Sequence, residues 1–321
     1  MKNITHFLPK AQHGRDEIRL LTSAATILKG VVIVALAFIL MLGVGSAEGL
    51  SPVKPGDILI ADSNGAILKF DSRSGAMTVL ASGWPLVRPF AIAVDAEGRV
   101  FVTDTGLDAV VRIDPATGAK EIVAYIPGQP FGLVVNDHGD IFVVNGEAIL
   151  RIDSDTHKIT LVADSSGPFI RVPLGIALAP DGNLLVADAS RCVVKVDVNN
   201  GAQTLITIGQ FLVQPVGITL DESGNIWVAD SAAHCVIEID GLDAAQHIIS
   251  QGGSLQTPVA IAISNDGSIL VSDPDCFNLA GGIIEVNPSD GNQTRLLQGQ
   301  GDYVNPRGFF VVRTGQVNRR K

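Results

Sequence analysis

The sequence is poor in cysteine, in aromatic residues and in positive charge, and each shortage excludes a class of protein. Its three cysteines, Cys192, Cys235 and Cys276, are an odd number and cannot form a complete set of intrachain disulfides. Aromatic residues make up only 5% of the chain, as expected for short strands joined by many turns. Lys and Arg number 23 against 33 Asp and Glu, so the net charge of −10 argues against nucleic acid as a partner.

Short catalytic motifs are missing as well. The sequence contains no nucleophile elbow, no P-loop, no Gly-rich dinucleotide motif and no zinc-ligand spacing. A Ser–His–Asp grouping cannot be assigned, because its members are neighbours in space rather than in sequence. Any functional site must therefore be sought through the fold.

The sequence does contain a repeat of about 40 residues that occurs six times. Its fullest copies are PLGIALAPDGNLLVADASRCVVKVD from Pro173 and PVGITLDESGNIWVADSAAHCVIEID from Pro215. Self-similarity with a period of about 40–45 residues, built from short strands and Gly-bearing turns, predicts an all-β propeller with one four-stranded blade per repeat. The six leading prolines are Pro89, Pro130, Pro173, Pro215, Pro258 and Pro306.

The two ends of the repeat region predict how the ring closes. Residues 56–62 read as a second strand with no first strand before it, and residues 306–312 read as a first strand with no successor. We expect these segments to complete one blade together, which leaves no open sheet edge and gives six blades. The predicted domains are a leader (1–47), a linker (48–55), the propeller (56–312) and a basic tail (313–321).

The leader has the features of a targeting segment. Residues 27–44 are almost wholly apolar, and their uncharged part has the length of a signal-peptide core. Small residues at 45–47 suit signal peptidase, so we expect a signal helix that is cleaved and a protein that is periplasmic or secreted. The alternatives are a start codon further downstream or an uncleaved membrane anchor, and the membrane would be a partner only through that anchor.

With these residues in view, residues 56–312 resemble NHL-repeat propellers. The resemblance lies in the Pro-x-Gly-Ile openings, the Asp-x-x-Gly-Asn turns and the Val-Ala-Asp endings at Asp188 and Asp230. The chain is also similar to the wider group of gluconolactonase, senescence-marker and strictosidine-synthase-like propellers. This resemblance implies a six-bladed fold, but it leaves open a binding module or an enzyme, because the same repeat serves both.

The lactonase relatives imply a divalent cation, usually calcium, held by Asn, Asp and Glu side chains beside the leading prolines. A hard cation needs oxygen ligands, and five of the six side chains at those positions here are hydrocarbon, so we predict no metal and no other cofactor. Calcium at a divergent site stays the alternative. The six positions carry Phe90, Phe131, Leu174, Val216, Val259 and Arg307.

Lyase relatives of two kinds imply histidine at the site. Amidating lyases hold zinc with several histidines, but His138, His157, His234 and His247 form no convergent group in the repeat pattern. A streptogramin-lyase-like activity would need a histidine over the channel mouth, and only His234 is placed there.

Five second strands end in aspartate, which invites a metal or an acid–base role. The repetition instead predicts a local role, in which each carboxylate accepts hydrogen bonds from the N–H groups of its own turn. The five, which stay secondary metal candidates, are Asp62, Asp104, Asp188, Asp230 and Asp273, and Asn145 takes the sixth place.

Departures from the repeat mark the candidate site. The longest connection between a second and a third strand follows Asp273 and contains Asp275, which with His234 is a secondary catalytic candidate. Aromatic and guanidinium groups on the same rim suit an apolar ligand that carries a carboxylate, or a protein partner. We therefore predict a binding module, with a lactonase or lyase as the alternative. The predicted rim residues are Arg88, Phe90, Phe131, Arg171, Arg191, His234, Asp275, Phe277, Tyr303 and Arg307.

Overall fold

The alternation of apolar strands and tight turns produces six antiparallel four-stranded sheets in residues 52–299 and 305–313, the part of the chain that this computed structural model describes. The predicted leader and Tyr303 lie outside these residues. Blade 1 is closed by the last strand of the chain. Its strands are β1 (Asp57–Asp62), β2 (Ala66–Asp71), β3 (Met77–Ser82) and β24 (Pro306–Val311).

The other five blades each use consecutive strands. Blade 2 contains β4 (Pro89–Val94), β5 (Val100–Asp104), β6 (Ala109–Ile113) and β7 (Lys120–Tyr125), and blade 3 contains β8 (Leu133–Val135), β9 (Ile141–Val144), β10 (Ala148–Ile152) and β11 (Ile159–Asp164). Blade 4 contains β12 (Pro173–Leu178), β13 (Leu184–Asp188), β14 (Cys192–Val196) and β15 (Gln203–Ile208). Blade 5 contains β16 (Pro215–Leu220), β17 (Ile226–Asp230), β18 (Cys235–Ile239) and β19 (Gln246–Gln251), and blade 6 contains β20 (Ala260–Ile263), β21 (Ile269–Asp273), β22 (Gly282–Val286) and β23 (Gln293–Gln298).

Ring closure follows the prediction. β24 pairs antiparallel with β1, with Ile58 opposite Val311 and Ile60 opposite Phe309. The N–H of Gly56 donates to the Val312 carbonyl at 2.8 Å, which extends the pairing by one step. The six-bladed all-β propeller with four-stranded blades is thereby confirmed.

The hydrophobic core lies between neighbouring blades, as six clusters in the described part of the chain. The innermost strands approach so closely that several positions have no room for a side chain. A Cβ on Gly175 would lie 2.1 Å from the Val216 carbonyl oxygen, and one on Gly308 would lie 2.4 Å from that of Phe90. These glycines are therefore required by blade packing, and the second one sets Arg307 beside Phe90.

The two ends of the ring differ. We call the end that carries the six leading prolines the proline rim, and the opposite end, which carries hairpins such as 221–225, the hairpin rim. The one element that is not a strand among the described residues is the short helical turn Cys276–Leu279 on the proline rim, in which Phe277 and Asn278 have positive φ. Within residues 52–299 and 305–313, no helix is long and apolar enough to cross a membrane.

Candidate functional site

The aspartates that end the second strands act as anchors for the loops of the proline rim. Asp104 accepts hydrogen bonds from the N–H groups of Gly106 and Leu107 in its own turn, at 3.0 and 2.9 Å. It also accepts from Val87 at 2.7 Å and Arg88 at 2.9 Å, in the loop that enters the blade. Each carboxylate therefore joins two loops of its own blade.

The same pattern repeats around the ring. Asp230 accepts from the N–H groups of Val213 and Gln214, and Asp273 accepts from those of Gln256 and Thr257. Burial raises the pKa of Asp273 above its ordinary value, although its backbone hydrogen bonds oppose the shift. Asp188 binds the Arg171 and Val172 amides, and Asp62 binds those of Asn64 and Asn305. Backbone N–H groups thus use acceptor sites on both oxygens of these carboxylates, which favours a structural role for the five aspartates.

Three of the predicted rim side chains are occupied by backbone carbonyls. The guanidinium Nη1 of Arg171 donates to Gly167 at 3.0 Å and to Ile170 at 2.6 Å, so it encloses its own loop. Arg191 donates through Nε to the Leu212 carbonyl at 3.0 Å, and the His234 Nδ1 contacts the Gln256 carbonyl. These side chains support the loops between blades rather than presenting free groups to a ligand.

The long connection of blade 6 also has a structural role. Cys276 is buried and its thiol donates to the Asp273 carbonyl at 3.1 Å, while burial raises the pKa of that thiol to about 12. Phe277 packs on the start of β22, and the Arg295 guanidinium lies 5.7 Å from its ring centroid. Cys192 and Cys235 are also buried, at the starts of β14 and β18.

Four of the predicted rim residues do meet at one place, the mouth of the central channel. The rings of Phe90 and Phe131 form an edge-to-face pair with centroids 5.2 Å apart. Arg88 and Arg307 line the same depression of about 500 Å³, which is a size that suits a small ligand. We call this depression the mouth pocket, and its remaining lining consists of Ser63, Asn64, Thr105, Gln129 and Asn305.

The two arginines of the mouth pocket have no counterion within contact distance. Neither guanidinium donates a hydrogen bond or forms an ion pair with any residue in 52–299 or 305–313, although the Arg88 amide is held by Asp104. Burial lowers the pKa of Arg307, the charge of Asp275 opposes this shift, and the charge of Arg88 adds to it. The arginine guanidinium is a permanent cation in proteins, so the pocket presents two positive charges beside two aromatic rings, neither of them in an ion pair with a described residue.

Sequence reasoning predicted the two arginines of this pocket but missed its uncharged polar residues, among them Gln129 and Asn305. Asn305, Arg88 and Gln129 each directly precede a leading proline, in three successive blades around the ring. The corresponding residue in blade 4 is Val172. The position is also polar in blades 5 and 6, where Gln214 and Thr257 occupy it, so its polarity alone does not identify the pocket.

The positions that hold the cation in lactonase relatives offer no oxygen ligand from a side chain here. The side chains that follow the leading prolines are hydrocarbon in five blades, and the sixth, Arg307, is a cation that would repel a metal ion. Among the described residues, no group of three His, Cys, Asp or Glu side chains is arranged to hold a metal. The donor set at the mouth therefore fits an anion better than a cation.

The fold and the mouth pocket define a six-bladed propeller with a ligand-sized depression over its channel. Residues 46–272 match the model of the SMP-30/Gluconolactonase/LRE-like region, and the chain belongs to this family. One relative of this chain is a gluconolactonase from Zymomonas mobilis subsp. mobilis, 25% identical over 142 residues. That match covers 36% of this chain and 38% of the gluconolactonase, so this chain matches well under half of that protein.

Solved structures share the fold at low sequence identity. A chain from a nidogen/laminin complex is 16% identical with a TM-score of 0.68, over 79% of this chain and 97% of the other. A streptogramin B lyase is 18% identical with a TM-score of 0.58, over 81% and 88% of the two chains. Virginiamycin B lyase from Staphylococcus aureus is 18% identical with a TM-score of 0.60, over 82% and 89%. These similarities show the fold alone.

Proposed function

We propose that the propeller is a binding module that takes a small apolar molecule with a carboxylate group at the mouth pocket. The observation that carries this proposal is the pair of guanidinium groups, Arg88 and Arg307, which form no ion pair with a described residue and line one depression with Phe90 and Phe131. Arginine matches a carboxylate with two parallel hydrogen bonds, and aromatic walls bury the apolar body of the ligand.

A titration with two matched compounds tests this proposal. In isothermal calorimetry, 3-phenylpropanoate should bind and 3-phenylpropanamide should bind about tenfold or more weakly, because charge-assisted hydrogen bonds are worth ~1.5–3 kcal/mol. Arg88→Met and Arg307→Met should each weaken the carboxylate and leave the amide unchanged. Arg73→Met, on the hairpin rim, makes the same change in net charge and should have no effect. Equal binding of acid and amide would contradict the proposal.

The carboxylate bound at the mouth pocket can also belong to a protein partner. Trp84 and Val172 are exposed on the proline rim, at 71% and 45% of their surface, and can anchor a partner that places a carboxylate in the mouth pocket. A similar fold in the nidogen/laminin complex supports this form. A partner captured on the wild-type protein and lost with Arg307→Met would support it.

The family supports a second candidate, a lactone hydrolase or lyase with a divergent metal site. Metal analysis of the purified protein separates the two candidates. A stoichiometric divalent ion whose chelation lowers the melting temperature would favour the enzyme, since a bound ion stabilises the native state by mass action. Turnover of lactones that falls in Asp275→Ala and His234→Ala would then identify its catalytic residues.

We also propose that the protein is exported, from the apolar leader described above. Cleavage after residue 47 predicts a mature chain that begins at Glu48. N-terminal sequencing of the exported form tests this, and an intact Lys2 would contradict cleavage.

A further inference from the structure

A second depression adjoins the mouth pocket over blade 3. It has a volume of about 710 Å³ and shares Gln129 and Phe131 with the mouth pocket as common walls. The two depressions together form one groove, which begins at Arg88 and Arg307 and continues across the Phe131 ring. We call it the blade-3 groove.

The sequence irregularity at blade 3 is the reason that this groove is open. The connection from β9 to β10 is the turn 145–147, in which Gly146 has φ +88°. A Cβ on Gly146 would lie 3.7 Å from the Phe131 ring, so the turn passes close to the aromatic wall. In blades 4 and 5 the corresponding connections carry Arg191 and His234, whose side chains reach the next loop. Blade 3 has no such side chain among its described residues, so no side chain from this connection covers the groove.

The far end of the groove is acidic. Glu147 and Asp164 line it, and Glu147 is exposed. Hydrogen bonds from the Ser166 side chain and amide hold the pKa of Asp164 below its ordinary value, so this carboxylate stays ionised. Neither side chain forms an ion pair with any residue that the structure describes. The groove thus has unpaired cations at one end, aromatic rings in the middle and unpaired anions at the other end.

We propose that the blade-3 groove binds a dipolar ligand, whose carboxylate contacts Arg88 and Arg307 and whose ammonium group lies at Glu147 and Asp164, with an apolar body across Phe131. A short peptide with both termini free has this chemistry. The inference rests on the proposed function, because it uses the same arginines, and it adds a second point of recognition. Opposite charges at the two ends also fix the direction in which the ligand lies.

Four forms of one tripeptide test this inference by calorimetry. Ala-Phe-Ala, about 10 Å long when extended, is compared as the free peptide, the N-acetyl form, the C-terminal amide and the doubly blocked form. We expect the free peptide to bind most tightly, the acetyl form about two- to fivefold more weakly and the amide about tenfold or more weakly. Acetylation should reduce the affinity less than amidation does, because Glu147 is exposed and water screens its interaction with the ammonium group.

Variants show which end of the groove causes the loss of affinity on acetylation and which causes the loss on amidation. Glu147→Gln should reduce the difference between the free and the acetylated peptide, with Asp164 retaining part of it, and should preserve the cost of amidation. Arg307→Met should do the reverse. Glu222→Gln, an exposed carboxylate on the hairpin rim, makes the same change in net charge and should alter neither difference.

The outcomes separate this inference from the function on which it rests. If the free and acetylated peptides bind equally while the amide is weaker, the acidic end is not used and the inference fails, although the carboxylate site stands. If none of the four peptides binds at 10 mM while 3-phenylpropanoate does, the inference fails in the same way. If amidation has no effect and 3-phenylpropanoate also fails to bind, the proposed function fails as well.

Discussion

Asp104 stabilises blade 2 and also positions a wall of the mouth pocket. Asp104→Ala should therefore lower the stability of the protein and weaken ligand binding at the pocket. Its side chain is 0% exposed and accepts hydrogen bonds from four backbone N–H groups. One of these is the Arg88 amide, at 2.9 Å, so the same carboxylate that holds the loop also fixes where the Arg88 side chain begins. Removing it frees two loops at the entrance of the channel.

The size of the effect follows from the hydrogen bonds that are lost. A hydrogen bond to a charged group contributes ~1.5–3 kcal/mol, but these four share one carboxylate and water will reach some of the freed donors. We therefore expect Asp104→Ala to lower the free energy of unfolding by about 3–5 kcal/mol. Asp104→Asn should cost less, because Asn145 already serves at this position in blade 3, where its carbonyl accepts from Ala148 at 3.1 Å.

Urea denaturation measures the stability change, and calorimetry with 3-phenylpropanoate measures the effect on the pocket. Asp230→Ala is the matched control, because Asp230 holds Val213 and Gln214 in blade 5 in the same way. It should destabilise the protein to a similar degree without reducing affinity. The reasoning would be refuted if Asp104→Ala kept wild-type stability. It would also be refuted if chelating divalent ions from the wild-type protein reproduced the loss, because the aspartates would then act as metal ligands.

Three further changes test the fold. Gly175→Ala should cost about 1–3 kcal/mol in urea denaturation, because its Cβ would lie 2.1 Å from the Val216 carbonyl oxygen. Truncation before Asn305 should yield insoluble protein in an expression and melting assay, because β1 becomes an open edge; a soluble truncated form with a cooperative transition would contradict ring closure. Burial raises the pKa of Asp273 above 3.8, so the native state binds more protons than the unfolded chain just above that pH, and its contribution to the free energy of unfolding falls as the pH rises. Asp273→Asn should remove that contribution from the pH dependence measured by denaturant titration.

The sequence was sufficient for the blades because each blade is specified locally and then repeated. The strand predicted over residues 56–62 is β1 (Asp57–Asp62), and the ring closes through residues 306–311 as expected. Apolar alternation, Gly-bearing turns and a small residue after each leading dipeptide all favour the same strands. Six copies of one weak local pattern gave a strong prediction.

The candidate site was harder to predict because it depends on contacts between blades. The aspartates were expected to bind only their own turns, but Asp104 also holds the amides of Val87 and Arg88 in the preceding loop. Arg171 was predicted to contact a ligand, but its guanidinium binds the carbonyls of its own loop instead. Neither distinction can be made from residue type, because both depend on which carbonyls the folded loop presents.

The arrangement of charge gives the strongest argument that the mouth pocket has a function. On the hairpin rim, basic side chains are neutralised by nearby acids, as in the Arg151–Asp140 pair at 2.7 Å. At the mouth, Arg88 and Arg307 lie near one another without such partners in the described residues; the charge of Arg88 lowers the pKa of Arg307, and the charge of Asp275 opposes that shift. A chain with a net charge of −10 has ample carboxylates to neutralise them. Two neighbouring cations left unpaired beside aromatic rings cost stability, and an anionic ligand that enters the pocket would remove this cost.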